Sequence, residues 1–318
     1  MRQTGNNPPE NRLGPNVKER ALLDAIEASG YPLQGRAAQI LGEAFAVTEE
    51  WGFLQGDKDP VHRSLDLFCW RRIDHTDLPN LKCYLATLAE CKRSDLPYVF
   101  FRDVASRPIP KFPLLTGPRG TQVDVHKRGS NQLKRYPLGQ AFGLQDHPFV
   151  RRPARCSSFS RAEPKSSGTF RFSGSEPFNR VVLPILRAVD HAVQLYKESG
   201  SKEAISLHLV SPLAVIDAPM LLVEDPDAPR DATLTPWVRV IQQEARRDRW
   251  AGPAWYAIDF VHISYLRTYM TAYLLSYADA FASSCAKYVD LLTFGGEVVD
   301  LNNFEWDKVT VRRKQSAR

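Results

Sequence analysis

An α/β fold built on one mixed sheet is what this sequence predicts, on three observations. Residues 17–42 carry apolar side chains at helical spacing, and Phe45 to Phe101 breaks into short apolar runs separated by polar or Pro-containing turns. Helical period returns at Phe178, ahead of two further runs rich in Ile, Leu and Val. Strands alternating with helices in this order call for a sheet covered by helices.

The elements follow in order. At 318 residues with 43% apolar content, the chain is long enough to bury a substantial core. Residues 1–16, rich in Asn, Pro and Gly without periodicity, are expected to form a flexible tail. A helix is expected from Val17 to Ser29, with Leu22, Leu23 and Ile26 on one face and Gly30 as its stop. A second runs from Leu33 to Gly42, where Leu33, Ala37, Ile40 and Leu41 recur at helical spacing. Strands are expected at Phe45–Phe53, Ser64–Trp70 and Lys82–Arg93, giving α-α-β-β-β.

Residues 102–174 change character and are expected to be an ordered, basic, loop-rich insertion. From Phe178 to Tyr196, Val181, Val182, Ile185, Val189 and Val193 mark a helix across the sheet, kinked early by Pro184. Ala204–Val210 and Leu213–Val223 would be the following strands, closing a core of residues 17–101 and 175–225. His208 alternates with Leu207 and Leu209 and is expected to be a strand or core histidine. A Pro-Asp loop at residues 225–230 leads to a strand at Trp237–Ile241 and a charged turn or helix at Glu244–Trp250. The rest of the C-terminal elaboration, residues 226–305, holds a strand at Trp255–Val261 and a helix at Ser264–Leu292, closed by Gly295-Gly296. Its broad apolar face would pack on the domain or on a second copy in a homodimer. Residues 306–318 form a basic tail.

Charge is distributed unevenly. Lys111 to Arg180 contains thirteen Lys and Arg against four acids, an excess larger than the net +6 of the chain, so the positive field is local. Phe112, Tyr136, Phe142, Phe149, Phe159, Phe170 and Phe172 are interleaved with these charges. Basic groups neutralise phosphates and aromatic faces stack on unpaired bases, while the same aromatics can pin the segment to the core. Arg63, Arg93, Lys127, Arg128, Lys134, Arg135, Arg151 and Arg152 are the candidate nucleic-acid contacts. The five cysteines form no CxxC pair, which argues against a disulfide framework or zinc ribbon and fits a reducing cytoplasm. No secretion signal or membrane-spanning run is expected, and no Walker, Rossmann or HExxH motif is visible.

The chemistry concentrates in two strands. Side chains two apart on a strand share a face, so Glu90 and Lys92 project together while Ala89 and Cys91 point away. Asp66, between Leu65 and Leu67, joins them if its strand is the neighbour. Acids in such apolar runs are costly to bury without a partner or a metal. Two carboxylates with room for water suit Mg2+ or Mn2+, and a lysine beside them can orient water and stabilise charge on a phosphoryl oxygen.

These residues also carry a resemblance. His62-Arg63-Ser64-Leu65-Asp66-Leu67-Phe68, Leu88-Ala89-Glu90-Cys91-Lys92-Arg93-Ser94 and Pro97-Tyr98-Val99-Phe100-Phe101 resemble the restriction-endonuclease-like PD-(D/E)XK nuclease superfamily, in its uncharacterised bacterial members. The resemblance covers residues 20–101 and implies an αβββαβ core. It further implies Asp66, Glu90 and the Cys91 main-chain carbonyl as metal ligands, with Lys92 as the catalytic lysine. The superfamily's upstream Pro is absent, since Ser64-Leu65 precedes Asp66, and Gln34 stands where relatives carry an additional glutamate. Gln34 offers a neutral oxygen, and Glu43, Glu49 and Glu50 are either substitutes or solvated acids.

The resulting expectation is a Mg2+-dependent endonuclease acting on the DNA backbone, in defence against foreign DNA. The alternatives are a catalytically impaired nucleic-acid-binding or assembly subunit and an RNA-directed nuclease.

Overall fold

The computed structural model describes residues 6–56, 59–73, 78, 81–103, 114–117, 121–166, 168–198, 205–225, 227–244 and 254–312. Two helices come first, α1 (Glu19–Ala28) and α2 (Tyr31–Gly42). Helix α2 carries Pro32 in its first turn, where a missing N–H leaves nothing unpaired, and buries Leu33, Gln34, Ala37 and Leu41. Helix α1 buries none of its residues, so its apolar positions Leu23 and Ile26 stay exposed.

Strands β1 (Ala46–Gln55), β2 (Val61–Arg72) and β3 (Leu81–Arg93) form an antiparallel meander. Next come β4 (Tyr98–Arg102), β5 (Leu114–Thr116), β6 (Gln122–Lys127), β7 (Leu133–Pro137), β8 (Ala154–Pro164) and β9 (Phe170–Ser173). A continuous helical run then passes from Ser175–Pro177 through a π turn at Phe178–Val182 into α3 (Leu183–Glu198). The π turn ends two residues before Pro184, whose ring has no N–H to bond back and which therefore favours an irregular preceding turn.

Strand β10 (Ile205–Asp217) returns parallel to β3 over its whole length. Strands β11 (Met220–Val223), β12 (Thr233–Leu234), β13 (Trp237–Glu244) and β14 (Ala254–His262) complete a mixed sheet ordered β1-β2-β3-β10-β14-β13-β8-β4-β11-β12. β5 pairs with β10 and β9 with β8. The C-terminal helices run from Leu266–Thr268 through a π-helical stretch Tyr269–Leu275 to α4 (Ser276–Lys287) and α5 (Val289–Phe294). Strands β15 (Gly296–Val298) and β16 (Thr310–Val311) join β6 and β7 in a second sheet of four. No helix among the described residues is long and apolar enough to cross a membrane.

The layers follow from strand alternation. Cys83, Leu85, Ala89 and Cys91 of β3, with Leu207, Leu209, Leu213 and Val215 of β10, pack against α2 and the C-terminal helices. Ala86 and Leu88, with Val210, Ala214 and Ile216, pack against Val181 to Ala192 of the helical run. Helices therefore cover both faces, as the α/β expectation required.

Several expectations are corrected. Residues 204–210 and 213–223 do not form two strands broken at Pro212. β10 runs straight through it, because the ladder to β5 ends at Val210 and that to β14 begins at Leu213, leaving the proline's missing N–H without a ladder to break. The segment expected as a loop-rich insertion supplies β8 to the interior of the main sheet and β6 and β7 to the second one. The long C-terminal helix breaks at Tyr288, and Gly295 ends α5 at a φ of 75°, a left-handed conformation glycine adopts without penalty. Part of the expected tail is ordered, since β16 pairs with β15. Lys111, Phe112, Arg119, Glu163-to-Ser173 turn residue 167, positions 245–250 and 313–318 lie outside the described residues.

Candidate active site

Strands β2 and β3 part company at the candidate residues. Their ladder runs from Arg72↔Tyr84 to Leu67↔Ala89 and stops there. One residue further on, the Asp66 carboxylate fills the opening, and its Oδ2 accepts a hydrogen bond from the Cys91 main-chain N–H at 2.7 Å. Because N–H and C=O of one strand residue face the same neighbour, the Cys91 carbonyl also lies on the β2 side. Lys92 Nζ stands 2.6 Å from Glu90 Oε1 and 3.9 Å from Asp66 Oδ2. Asp66, Glu90 and Lys92 are thus brought together by the fold.

A backbone irregularity aims Asp66. Glu50 is the one described non-glycine residue with a positive φ, 50°, and the pairs Glu49↔Leu67 and Trp51↔Leu65 place it opposite Asp66. Both strands change face at this point. Val47 packs in the α2 layer and Trp51 in the α3 layer, while Leu65 faces α3 and Leu67 faces α2. Simple period-2 alternation would keep each pair on one face, so the twist at Glu50 and Asp66 frees the carboxylate from the ladder.

Electrostatics are set by burial. Desolvation pushes the Glu90 carboxyl up to about 7, only partly opposed by Lys92, and nearby Asp66 adds to the rise. Burial also raises Asp66, against the pull of Lys92 and the Cys91 N–H, with Glu50 adding a smaller repulsion. For Lys92, burial works against the charge, but Glu90 and Asp66 outweigh it and its pKa is raised. Two crowded carboxylates sharing one ammonium form a site electrostatically ready for a cation.

The donor set fits a hard divalent ion. Asp66 and Glu90 place two carboxylates beside the β2–β3 opening, and with the Cys91 carbonyl they are the oxygen donors that could hold a hard divalent cation there. Among the described residues no group of three or more His, Cys, Asp or Glu side chains gathers at a metal-binding spacing. Gln34, 5% exposed, turns its Nε2 to the Asp66 main-chain oxygen at 3.3 Å and supports the Asp66 backbone. Glu43 is committed to Arg267, whose Nε stands 3.0 Å away.

The other expected contacts are spread more widely. Lys127, Arg128, Lys134 and Arg135 are exposed on β6, its following turn and β7, whose core residues Val123, Val125 and Tyr136 belong to the α2 layer, away from the face of Glu90 and Lys92. Arg135 pairs with Asp124, Arg151 with Asp146, and Arg152 lies over the Tyr273 ring. Arg63 bonds Gln55 and Arg93 bonds the Glu27 carbonyl. Arg93 also lines a crevice of about 720 Å³ with Asp217, Met220, Leu234, Thr235 and His262. This crevice opens at the carboxyl ends of the parallel strands β3, β10 and β14, where open α/β sheets commonly receive ligands. His208 is sandwiched between Tyr84 and Tyr196 at centroid distances of 4.8 and 4.0 Å, and burial lowers its pKa to about 4, in keeping with a packing role.

Sequence reasoning did not connect Tyr98, whose hydroxyl feels the charges of both Arg161 and Lys92, with the site. The signal available was Pro97-Tyr98 immediately after the Glu90 strand, but the pairing of Tyr98 with Arg161 comes from two segments 63 positions apart. No family model, curated protein or solved structure matches the chain.

Proposed function

We propose that the protein is a metal-dependent phosphodiesterase that hydrolyses the DNA backbone. The observation carrying this reading is the convergence of Asp66, Glu90 and Lys92 where β2 and β3 separate. The order α2-β1-β2-β3-α3-β10, with β10 parallel to β3, further supports a restriction-endonuclease-like core.

Asp66, Glu90 and the Cys91 carbonyl would hold Mg2+ or Mn2+. When bound, the ion supplies Lewis-acid polarisation of a phosphoryl oxygen and eases deprotonation of water. Lys92, relieved of Glu90, orients the attacking water and stabilises the negative charge gathering on phosphorus-bound oxygen. The water oxygen forms the new bond to phosphorus and releases one proton to bulk water as the bond to one strand end breaks, and that departing oxygen takes up a proton from bulk water. Cys91 N–H keeps Asp66 fixed throughout. Arg93 and the crevice beside it accommodate the strand leaving the centre.

The test is cleavage of linear, circular and single-stranded DNA with Mg2+ or Mn2+ by the parent, Asp66→Ala and Lys92→Ala. Each substitution is expected to lower cleavage by about a hundredfold or more. Undiminished cleavage by both variants sinks the assignment.

Gln34 favours a second reading, a nucleic-acid-binding subunit without cleavage, because it adds no charge beside Asp66. Calorimetry decides between them: salt-sensitive DNA binding with no Mg2+ or Mn2+ uptake selects the binding subunit. RNA in the same assays tests the sugar preference.

A further inference from the structure

A row of alternating charge borders the Glu90 side of the sheet. Arg161 on β8 stands opposite Tyr98 on β4 in the antiparallel register, so the two side chains share a face. Arg161 Nη2 lies 3.5 Å from Glu163 Oε1 and 3.3 Å from Glu176 Oε2. Glu163 in turn accepts from Arg171 Nε at 2.9 Å, and Glu176 pairs with Arg180 Nε at 3.2 Å. Three guanidinium groups therefore alternate with two carboxylates.

Arg161 is the under-bonded member of the row. Its ion pairs at 3.3 and 3.5 Å both use one nitrogen, and its Nε–H is buried with no hydrogen-bond partner among the described residues. A guanidinium presents a fork of donors suited to two oxygens of one planar or tetrahedral anion. Two carboxylates approaching the same nitrogen leave that fork unused.

The row lies on the same face of the sheet as the reaction centre. Tyr98 packs in the same layer as Ala86, Leu88, Val181 and Val182, and this is the face onto which Glu90 and Lys92 project from β3. Burial raises the Tyr98 hydroxyl pKa, while the charges of Arg161, Lys92 and Arg180 pull it down. Lys92 and Arg161 thus act on one hydroxyl from nearby positions.

We propose that Arg161, flanked by Arg180, is the seat for a backbone phosphate of the substrate strand adjacent to the scissile one. Glu163 and Glu176 occupy the guanidinium until a polyanion displaces them. The proposal rests on the phosphodiesterase reading and narrows its substrate class: the preferred substrate is a nucleic-acid strand with several consecutive phosphates, in preference to an isolated phosphodiester. Arg161 is a positioning residue that fixes the strand while Lys92 acts at the reacting phosphate.

The experiment is binding of the full-length chain to a labelled duplex of about 20 base pairs in EDTA over a salt series. Glu176→Gln releases Arg161 and Arg180, so affinity is expected to rise about fivefold with a steeper salt dependence. Arg161→Gln is expected to weaken binding about tenfold and to reduce the slope of log K against log salt by about 1. With Mg2+, Arg161→Gln is expected to raise KM for a long strand more than it lowers kcat, whereas a purely structural role would impair both. Unchanged or weaker binding by Glu176→Gln overturns the proposal, as does a folded Arg161→Gln with the parent's affinity and slope. Should circular dichroism show Arg161→Gln unfolded, Glu176→Gln decides alone. Binding in EDTA is independent of hydrolysis: these signatures in a protein that cuts nothing retain the phosphate seat and reject the phosphodiesterase, whereas cleavage without them does the reverse.

Discussion

Glu90 concentrates the chemistry at the scale of one residue. It is 6% exposed, and burial lifts its carboxyl from 4.5 in the unfolded chain to about 7. A raised carboxyl favours the folded state in its protonated form. Its contribution is complete below about pH 4.5 and disappears as pH rises through about 7. Glu90→Gln cannot ionise, so between pH 4.5 and 8 its stability should improve relative to the parent by on the order of 3 kcal/mol. Lys92 stays protonated across this range, and its lost partner shifts the whole comparison by a constant. The opposite trend holds with metal, which needs ionised ligands. Mg2+ should raise the urea midpoint of the parent increasingly from pH 6 to 8 and leave Glu90→Gln unmoved. Parallel stability curves for the two proteins would contradict the raised carboxyl, and equal Mg2+ effects would contradict the proposed role of Glu90 as a metal ligand.

Individual elements show how a local irregularity can serve a site. In β1, Glu50 holds a φ of 50° opposite Asp66, a conformation that costs an ordinary L-residue about 1 kcal/mol. That distortion reverses the inward face of β1 and β2, allowing Leu65 and Leu67 to enter different layers with Asp66 between them. Glycine adopts the same backbone without that strain but loses more chain freedom on folding, so Glu50→Gly should leave stability unchanged or raise it by up to about 0.5 kcal/mol, measured by the urea midpoint. A loss of stability would instead show that the Glu50 side chain supports the strand pair. Proline plays a comparable part elsewhere: Pro184 follows a π turn, and Pro212 sits where β10 lacks a partner on one edge.

Across the whole molecule, the two halves of the sheet and the C-terminal helices are joined by a buried polar network. Arg239 on β13 is fully buried and grips Asp259 on β14 through Nε at 2.7 Å and Nη2 at 2.9 Å. Its Nη1 donates to the Val150 carbonyl at 3.2 Å, and the Tyr269 hydroxyl donates to Asp259 at 2.9 Å. Phe149 and Trp237 lie against the guanidinium. Removing one charge leaves the other buried without compensation, so Arg239→Met should cost roughly 3–5 kcal/mol in chemical denaturation. Arg239→Met combined with Asp259→Leu should recover a large part of that loss. A single variant as stable as the parent would mean that water reaches the pair.

Much of this arrangement is written in the chain. Helical spacing located α2 and the run containing α3, and the period of two along β3 placed Glu90 and Lys92 together with Ala89 and Cys91 facing away. Asp259 could be read as an interruption of an apolar segment, but its partner Arg239 lies 20 positions away on an adjacent strand. The exposed basic residues were countable, while which of them stands beside Tyr98 depended on β4 pairing with β8. Likewise, the meeting of Asp66 with Cys91 required the β2–β3 ladder to end at Leu67 and Ala89. Side-chain alternation is a local consequence of backbone geometry and can be read from neighbouring residues. Which strands become neighbours, and where their ladders end, is decided by packing between distant segments, and only the tertiary structure resolves it.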